Sequence, residues 1–294
     1  MLMVLMSVAF ISLLERKILG SIQIRSGPNK VGMEGMMQPF SDAIKLYSKE
    51  SNSPKKSNKM IFFISPSVGL MISLMCWVIM PFYKSLFSIE LGLMLYLSIL
   101  GLGVYTLLMA GWSSNSAYSI LGSIRCIAQT ISYEITLIFT ILSLFIINES
   151  FKFYDFESMQ IYLWYIFMTP IFSMWYVIML AELNRTPFDF GEGESELVSG
   201  FNVEYSGVGF AFIFMMEYGM IILSGMLTTI MFLGSNTFSV LFYMKSTLIS
   251  FSIIWVRGTI PRYRYDKLMY MTWKIFLPNS LFLTLMNMSL TIMI

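Results

Sequence analysis

A chain of 294 residues that is 56% hydrophobic and 12% charged, with a mean hydropathy of +0.71, is too apolar for a soluble domain, in which about 25% of residues are charged. The formal net charge of +2 conceals a strong segregation of acids from bases. With no histidine and only Cys76 and Cys126, in no CxxC spacing, zinc, most haem ligation and iron–sulfur clusters are excluded as cofactors held by this chain.

Crossing ~30 Å of hydrocarbon takes about 20 helical residues, and eight apolar runs reach that length: 1–24, 60–83, 91–112, 124–147, 160–181, 206–233, 238–256 and 273–294. Unpaired amides are costly in lipid, and the runs lack the alternation of barrel strands. Each is therefore predicted to be a helix. The fold class is all-α, a polytopic membrane protein with eight transmembrane helices forming a single domain over 1–294.

The first run opens without charge over Met1–Leu14, with no basic segment before it and no A-x-A site after it, so no leader or transit peptide is expected. Glu15, Arg16 and Lys17 follow after only ~21 Å of helix. They are expected within the inner third of the bilayer, facing other helices or a water-filled cavity. "RSGPNKVG" then breaks the helix. Residues 36–49 place Met37, Phe40, Ile44 and Tyr47 on one helical face and Asp42, Lys45 and Lys49 on the other. That pattern fits an amphipathic helix lying on the membrane or packed on protein. "KESNSPKKSNK" reads as a solvated linker, and "GLGVYT" at Gly101 as small residues for helix contact.

Ionisable groups inside a span call for a partner or a role. Glu134 in the fourth run and Glu217 in the sixth lie ~10–14 Å below the same surface and are expected in one layer as candidate proton carriers. Tyr133 and Tyr218 beside them could donate to a carboxyl or a water. The alternative is a packing role, for instance a Glu217–Lys245 pair. Between the fifth and sixth runs "AELNRTPFDFGEGESELVSGFNVEY" holds Glu182, Asp189, Glu192, Glu194, Glu196 and Glu204 against Arg185, with no EF-hand spacing. It reads either as a hydrated acidic connector feeding the buried glutamates or as a solvated charge run. "RGTIPRYRYDKLMY" is its basic counterpart, suited to lipid headgroups or an acidic partner and too short for nucleic acid.

Sixteen of the 19 Lys and Arg fall on the side of connectors 25–59, 113–123, 182–205 and 257–272, against Lys84 and Lys152 on the other and Lys245 inside a span. By the positive-inside rule those connectors face the cytoplasm or matrix. The 27 Met, 25 Phe and seven Ala fit an A+T-rich gene that reads AUA as methionine, a mitochondrial habit. A core simply rich in adaptable methionine fits as well.

"LLERKILGSIQIRSGPNKVG", "GMMQPFSDAIKLYSKE", "AGWSSNSAYSILGSIRCIAQTISYE", "PFDFGEGESELVSG" and "VRGTIPRYRYDKLMYMTWKIFLP" resemble the chain 1 family of NADH–ubiquinone oxidoreductase, the mitochondrially encoded membrane subunit of respiratory complex I. The resemblance runs from the first span to the last. It implies a multi-pass inner-membrane subunit whose basic connectors face the matrix, dock the peripheral arm and help form the ubiquinone chamber. FMN and iron–sulfur clusters would sit in partner subunits. Glu134, Glu182 and Glu217 match the family's proton path. Arg185, Asp189, Glu192, Glu194, Glu196 and Glu204 match the loop that couples quinone chemistry to it. Arg16, Arg25, Asp42 and Arg257 match the quinone side. Neighbouring membrane subunits and lipids, cardiolipin among them, are the expected partners, with no nucleic acid. The chain is shorter than the family pattern at its N-terminus and around Gly234–Thr237.

Two other classes compete. A free-standing proton or ion transporter should show two related halves with matching broken helices, and Pro170 has no counterpart in the other half. An anchor for a peripheral complex would leave Glu134 and Glu217 as packing residues.

Overall fold

The computed structural model describes residues 1–82, 89–160, 164–191, 193, 197–198, 200–234 and 236–293. Glu192, Glu194 and Glu196 of the acidic connector, and Lys84, lie outside them. The chain is 77% helix, with no strand among the described residues. In chain order the helices are α1 Leu2–Ile22, α2 Gln38–Ser48, α3 Lys59–Cys76, α4 Gly92–Ser114, α5 Ala117–Asn148, α6 Asp155–Met159, α7 Trp164–Phe167, α8 Thr169–Glu182, α9 Gly207–Phe232, α10 Val240–Thr259 and α11 Tyr265–Met293.

Among the described residues six helices are long and apolar enough to cross a membrane: α3 with its 3-10 extension to Ile79, then α4, α5, α9, α10 and α11. The other two expected spans differ for separate reasons. α1 is long enough, but Glu15, Arg16 and Lys17 interrupt its apolar length. α8 has only 14 residues. Pro170 lies in its first turn, where a missing N–H costs nothing but an incoming helix cannot continue.

Two helices run well past their apolar stretches. α5 starts at Ala117, just after the left-handed Asn115 (φ 50°), so most of the expected connector 113–123 is helical. α11 starts at Tyr265 and carries a π-helical turn at Met271–Phe276, which leaves only 260–264 of the connector 257–272 outside helices. Hydropathy falls at these ends, but backbone hydrogen bonding has no proline to stop it.

α5 and α9 are the two most enclosed spans, each with 56% of its apolar window buried, against 17% for α11. α5 packs on α4, α8 and α11, and α9 packs on α3, α1 and α10. Gly122 of α5 sets how closely the acidic connector seats. A Cβ there would meet Gly200 Cα at 2.9 Å and Gly191 O at 3.0 Å, both backbone. Gly122→Val is expected to lift the connector at a cost of about 1–3 kcal/mol, the usual range for overpacking. Faster proteolysis at the connector of the assembled protein, with the other connectors unchanged, is the measurement.

α2 has one covered and one exposed side. Pro39 is buried and Asp42, Ala43 and Leu46 are partly covered, while Met37, Ile44 and Tyr47 are exposed. The predicted polar residue Asp42 is turned inward because Arg16 of α1 donates to it at 2.6 Å.

Candidate functional site

Glu15 and Glu217, two of the charges that hydropathy marked as misplaced, meet through arginines. α1 holds Glu15 only 4% exposed. Arg257, in the last turn of α10, donates to Glu15 Oε1, and Arg185 Nη1 lies 3.7 Å from the same oxygen. The other arm of Arg185, Nη2, stands 3.6 Å from Glu217 Oε2 of α9. Its guanidinium lies over the Tyr218 ring, 4.7 Å from the centroid, a cation–π contact. Arg185 is delivered by the turn that ends α8, where Asn184 is left-handed (φ 49°) and the Arg185 N–H bonds back to Leu180 O. One guanidinium thus bridges carboxylates from two helices.

These groups border a cavity of about 820 Å³ between α1, α2 and α9. Its apolar wall includes Leu5, Met6, Ala9, Phe210 and Phe214, and its charged wall includes Glu15, Arg16, Asp42, Arg185, Glu217 and Arg257. A long apolar molecule with a polar head is the shape of ligand such walls suit.

A second cavity, about 90 Å³, lies behind the first, between α3, α4, α5 and α9. Glu217 lines both, and Glu182 lines the second with Ser73, Thr106 and Thr130. That volume and those polar groups can hold a few waters. Glu182 and Glu134 are close enough for their charges to interact. Each also has a buried carboxyl oxygen, Glu182 Oε2 and Glu134 Oε1, with no hydrogen-bond partner. Glu182 therefore stands beside the cavity that Glu217 borders and within charge range of Glu134.

Two expected partnerships are replaced. Lys245 donates to Leu233 O and Gly234 O, both at 2.8 Å, capping the end of α9 instead of meeting Glu217. The Tyr133 hydroxyl is buried with no hydrogen-bond partner and its ring packs near Phe188, since adjacent helical residues point about 100° apart.

The first described part of the acidic connector, up to Phe190, is folded in, where the sequence suggested a hydrated connector or a solvated charge run. Arg185, Phe188, Asp189, Phe190 and Leu197 are all buried. Asp189 pairs with Arg262 at 3.4 Å, and Tyr263 N–H donates to Pro187 O at 3.0 Å. The rings of Phe188 and Phe190 pack on Tyr263 and Tyr265. Gln129 of α5 pins both ends of this segment, its Nε2 donating at 2.8 Å to Ala181 O and Phe188 O. The basic connector therefore finds its acidic surface within the same chain. Reversing Asp189 to Lys is expected to lower ubiquinone reductase activity severalfold, with partial recovery in the D189K/R262D double variant, a coupling of about 1–3 kcal/mol for a contacting pair. Reductase rates of single and double variants check it.

Of the other expected residues, Arg16 and Asp42 form an ion pair on the cavity wall. Arg25 lies off the cavity, exposed and bonded to Gln23 Oε1 at 2.8 Å. Glu204 is half-buried before α9 and makes no ion pair among the described residues. Sequence reasoning assigned no site role to Glu15 or Gln129. The signal for Glu15 was present, an acid inside a span one residue before Arg16. Gln129 carries none, because a neutral amide in a helix is unremarkable until its partners are known.

The fold and site together define a multi-pass helical membrane protein with an amphiphile-sized cavity bordered by Glu15 and Glu217 and a smaller one bordered by Glu217 and Glu182. The sequence matches the family described as NADH dehydrogenase over residues 1–288. It is 55% identical over 279 residues, 95% of this chain and 89% of the relative, to the NADH-ubiquinone oxidoreductase chain 1 of Aedes aegypti. It is 46% identical over 297 residues to that of Sminthopsis macroura, covering 98% and 93% of the two chains, and 53% identical over 279 residues to that of Locusta migratoria, covering 95% and 89%. The chain belongs to the NADH dehydrogenase family and is a core membrane subunit of NADH:ubiquinone oxidoreductase.

Proposed function

We propose that the 820 Å³ cavity receives ubiquinone and that Glu217, Glu182 and Glu134 carry protons away from it in that order. The observation that carries the reading is that Glu217 borders both the large cavity and the small one that Glu182 also borders. The isoprenoid tail suits the wall of Leu5, Met6, Phe210 and Phe214, and the quinone carbonyls suit guanidinium donors such as Arg16 and Arg257. Two electrons supplied by partner subunits and two protons convert the quinone to the quinol. The charge change is felt first by the cluster of Glu15, Arg185, Arg257 and Glu217, which shares counterions across 3.6–3.7 Å contacts. Arg185 and Asp189 link that cluster to the connector holding Glu192, Glu194, Glu196 and Glu204, our candidate coupling segment. Arg25 has no direct part in this reading.

The same reading gives eight spans in one transmembrane domain, with α1 and a short α8 added to the six apolar helices and α2 lying at the interface. The basic connectors face the matrix of a mitochondrial inner membrane. FMN and iron–sulfur clusters belong to partner subunits that dock on this face, neighbouring membrane subunits flank the bundle, and lipids, cardiolipin included, fill its perimeter. Counterion sharing by Glu15 and Arg185 at the cavity favours this over a free-standing transporter.

Glu217→Gln and Glu134→Gln are the test. Both are expected to assemble normally and to lose proton transfer coupled to quinone reduction by about tenfold or more, ~1.4 kcal/mol on the limiting step. Proton release per NADH in reconstituted vesicles is the readout, and undiminished pumping by an assembled double variant would refute the route.

A further inference from the structure

One face of α5 is the seat of the acidic connector. Gly122, Cys126, Gln129 and Tyr133 follow at i, i+4, i+7 and i+11, the spacing of one helical stripe. Gly122 admits the backbone of Gly191 and Gly200, and a Cβ on Gly191 would stand 3.2 Å from Cys126 Sγ. The Tyr133 ring lies 6.4 Å from that of Phe188. These three contacts are packing, and the fourth is directional. Gln129 is fully buried, and its Nε2 donates at 2.8 Å both to Ala181 O and to Phe188 O.

Ala181 precedes Glu182 and Phe188 precedes Asp189, so one amide closes segment 181–188, with Arg185 midway between the two anchor points. The carbonyls are not short of donors. Ala181 O also accepts from Asn184 N at 3.2 Å, and Phe188 O from Phe190 N at 3.1 Å. Gln129 Oε1 is itself buried with no hydrogen-bond partner among the described residues. An amide buried with an unpaired oxygen costs more than an apolar side chain of the same shape. Satisfying the backbone does not account for it, whereas fixing the position of the segment does.

We propose that Gln129 is a positioning residue for quinone reduction: by clamping both ends of segment 181–188 to α5, it holds Arg185 where it reaches Glu15 and Glu217 together, at 3.7 and 3.6 Å. The proposal rests on the reading of that cluster as the wall of the quinone cavity. Gln129 borders neither cavity, so its effect falls on turnover and not on quinone binding. Gln129→Met in the assembled enzyme is the test, because methionine keeps the length and removes both donors. Gln129→Glu, of the same shape, is the second variant. Rates are taken per assembled enzyme, counted by NADH oxidation with an artificial acceptor. In both variants kcat for ubiquinone reduction is expected to fall about fivefold, the size of one net hydrogen bond, with KM for ubiquinone unchanged. Cys126, 0% exposed beneath the connector, reports the cause. N-ethylmaleimide should leave it unmodified in the native enzyme and alkylate it in both variants, read by mass spectrometry of its peptide. A native kcat in either assembled variant would overturn the proposal, and so would a lower kcat with Cys126 still protected. Failure of both variants to assemble would overturn it too, making Gln129 a folding residue. If kcat falls and Cys126 opens while Glu217→Gln pumps undiminished, the clamp stands and the proton route does not.

Discussion

Replacing Glu15 with Ala is expected to be the most damaging single substitution in the cavity wall. The carboxylate is 4% exposed and is shared by Arg257 and Arg185. Deleting it leaves two guanidinium groups without their common counterion, and removing one partner of a buried pair costs about 3–5 kcal/mol. That is comparable with the whole stability of many domains. The assembled enzyme should fall in amount and in thermal inactivation temperature. Glu15→Gln keeps shape and a hydrogen-bonding oxygen, so it should assemble. With Glu15 neutral, Arg185 loses one carboxylate and keeps Glu217, 3.6 Å away. Quinone reductase activity should then drop while NADH oxidation by an artificial acceptor is kept. Equal loss of both activities in Glu15→Gln would point to misassembly and away from a role at the cavity.

Filling the small cavity should stop proton transfer without touching a charge. Gly103 lines that cavity, and a Cβ built on it meets nothing within 4 Å. Leucine there would occupy most of the 90 Å³ space that Glu217 and Glu182 both border. It also replaces a poor helix former with a good one, by about 0.8–1.0 kcal/mol. Gly103→Leu is therefore expected to fold and to reduce coupled proton transfer at least tenfold, ~1.4 kcal/mol on the barrier. Gly101→Leu is the control, because that position is equally open but lies off the cavity. If proton release per NADH falls equally in both variants, the small cavity is not the path.

Sequence and structure agreed where composition or motif carried the information. The apolar runs around α3, α4, α9 and α10 were found nearly to their ends, because long uninterrupted hydrophobic stretches have one stable form in lipid. They parted where a residue's meaning depends on a distant partner. Asp42 was read as a polar-face residue and is an inward ion pair with Arg16. Lys245 was weighed as a counterion for Glu217 and is a cap for α9.

What the sequence determined by itself was the solvent and the parts: an all-helical membrane chain, acids within apolar runs at 134 and 217, an acidic and a basic connector, and motifs specific enough to indicate the family. Only the tertiary structure decided the wiring. It made Glu15 the shared counterion of two arginines, let Arg185 reach both Glu15 and Glu217, and joined the two connectors through Asp189 and Arg262. The reason is physical. Hydropathy and helical periodicity act over a few turns of one segment, whereas the state of a buried charge is set by groups from helices far apart in the chain.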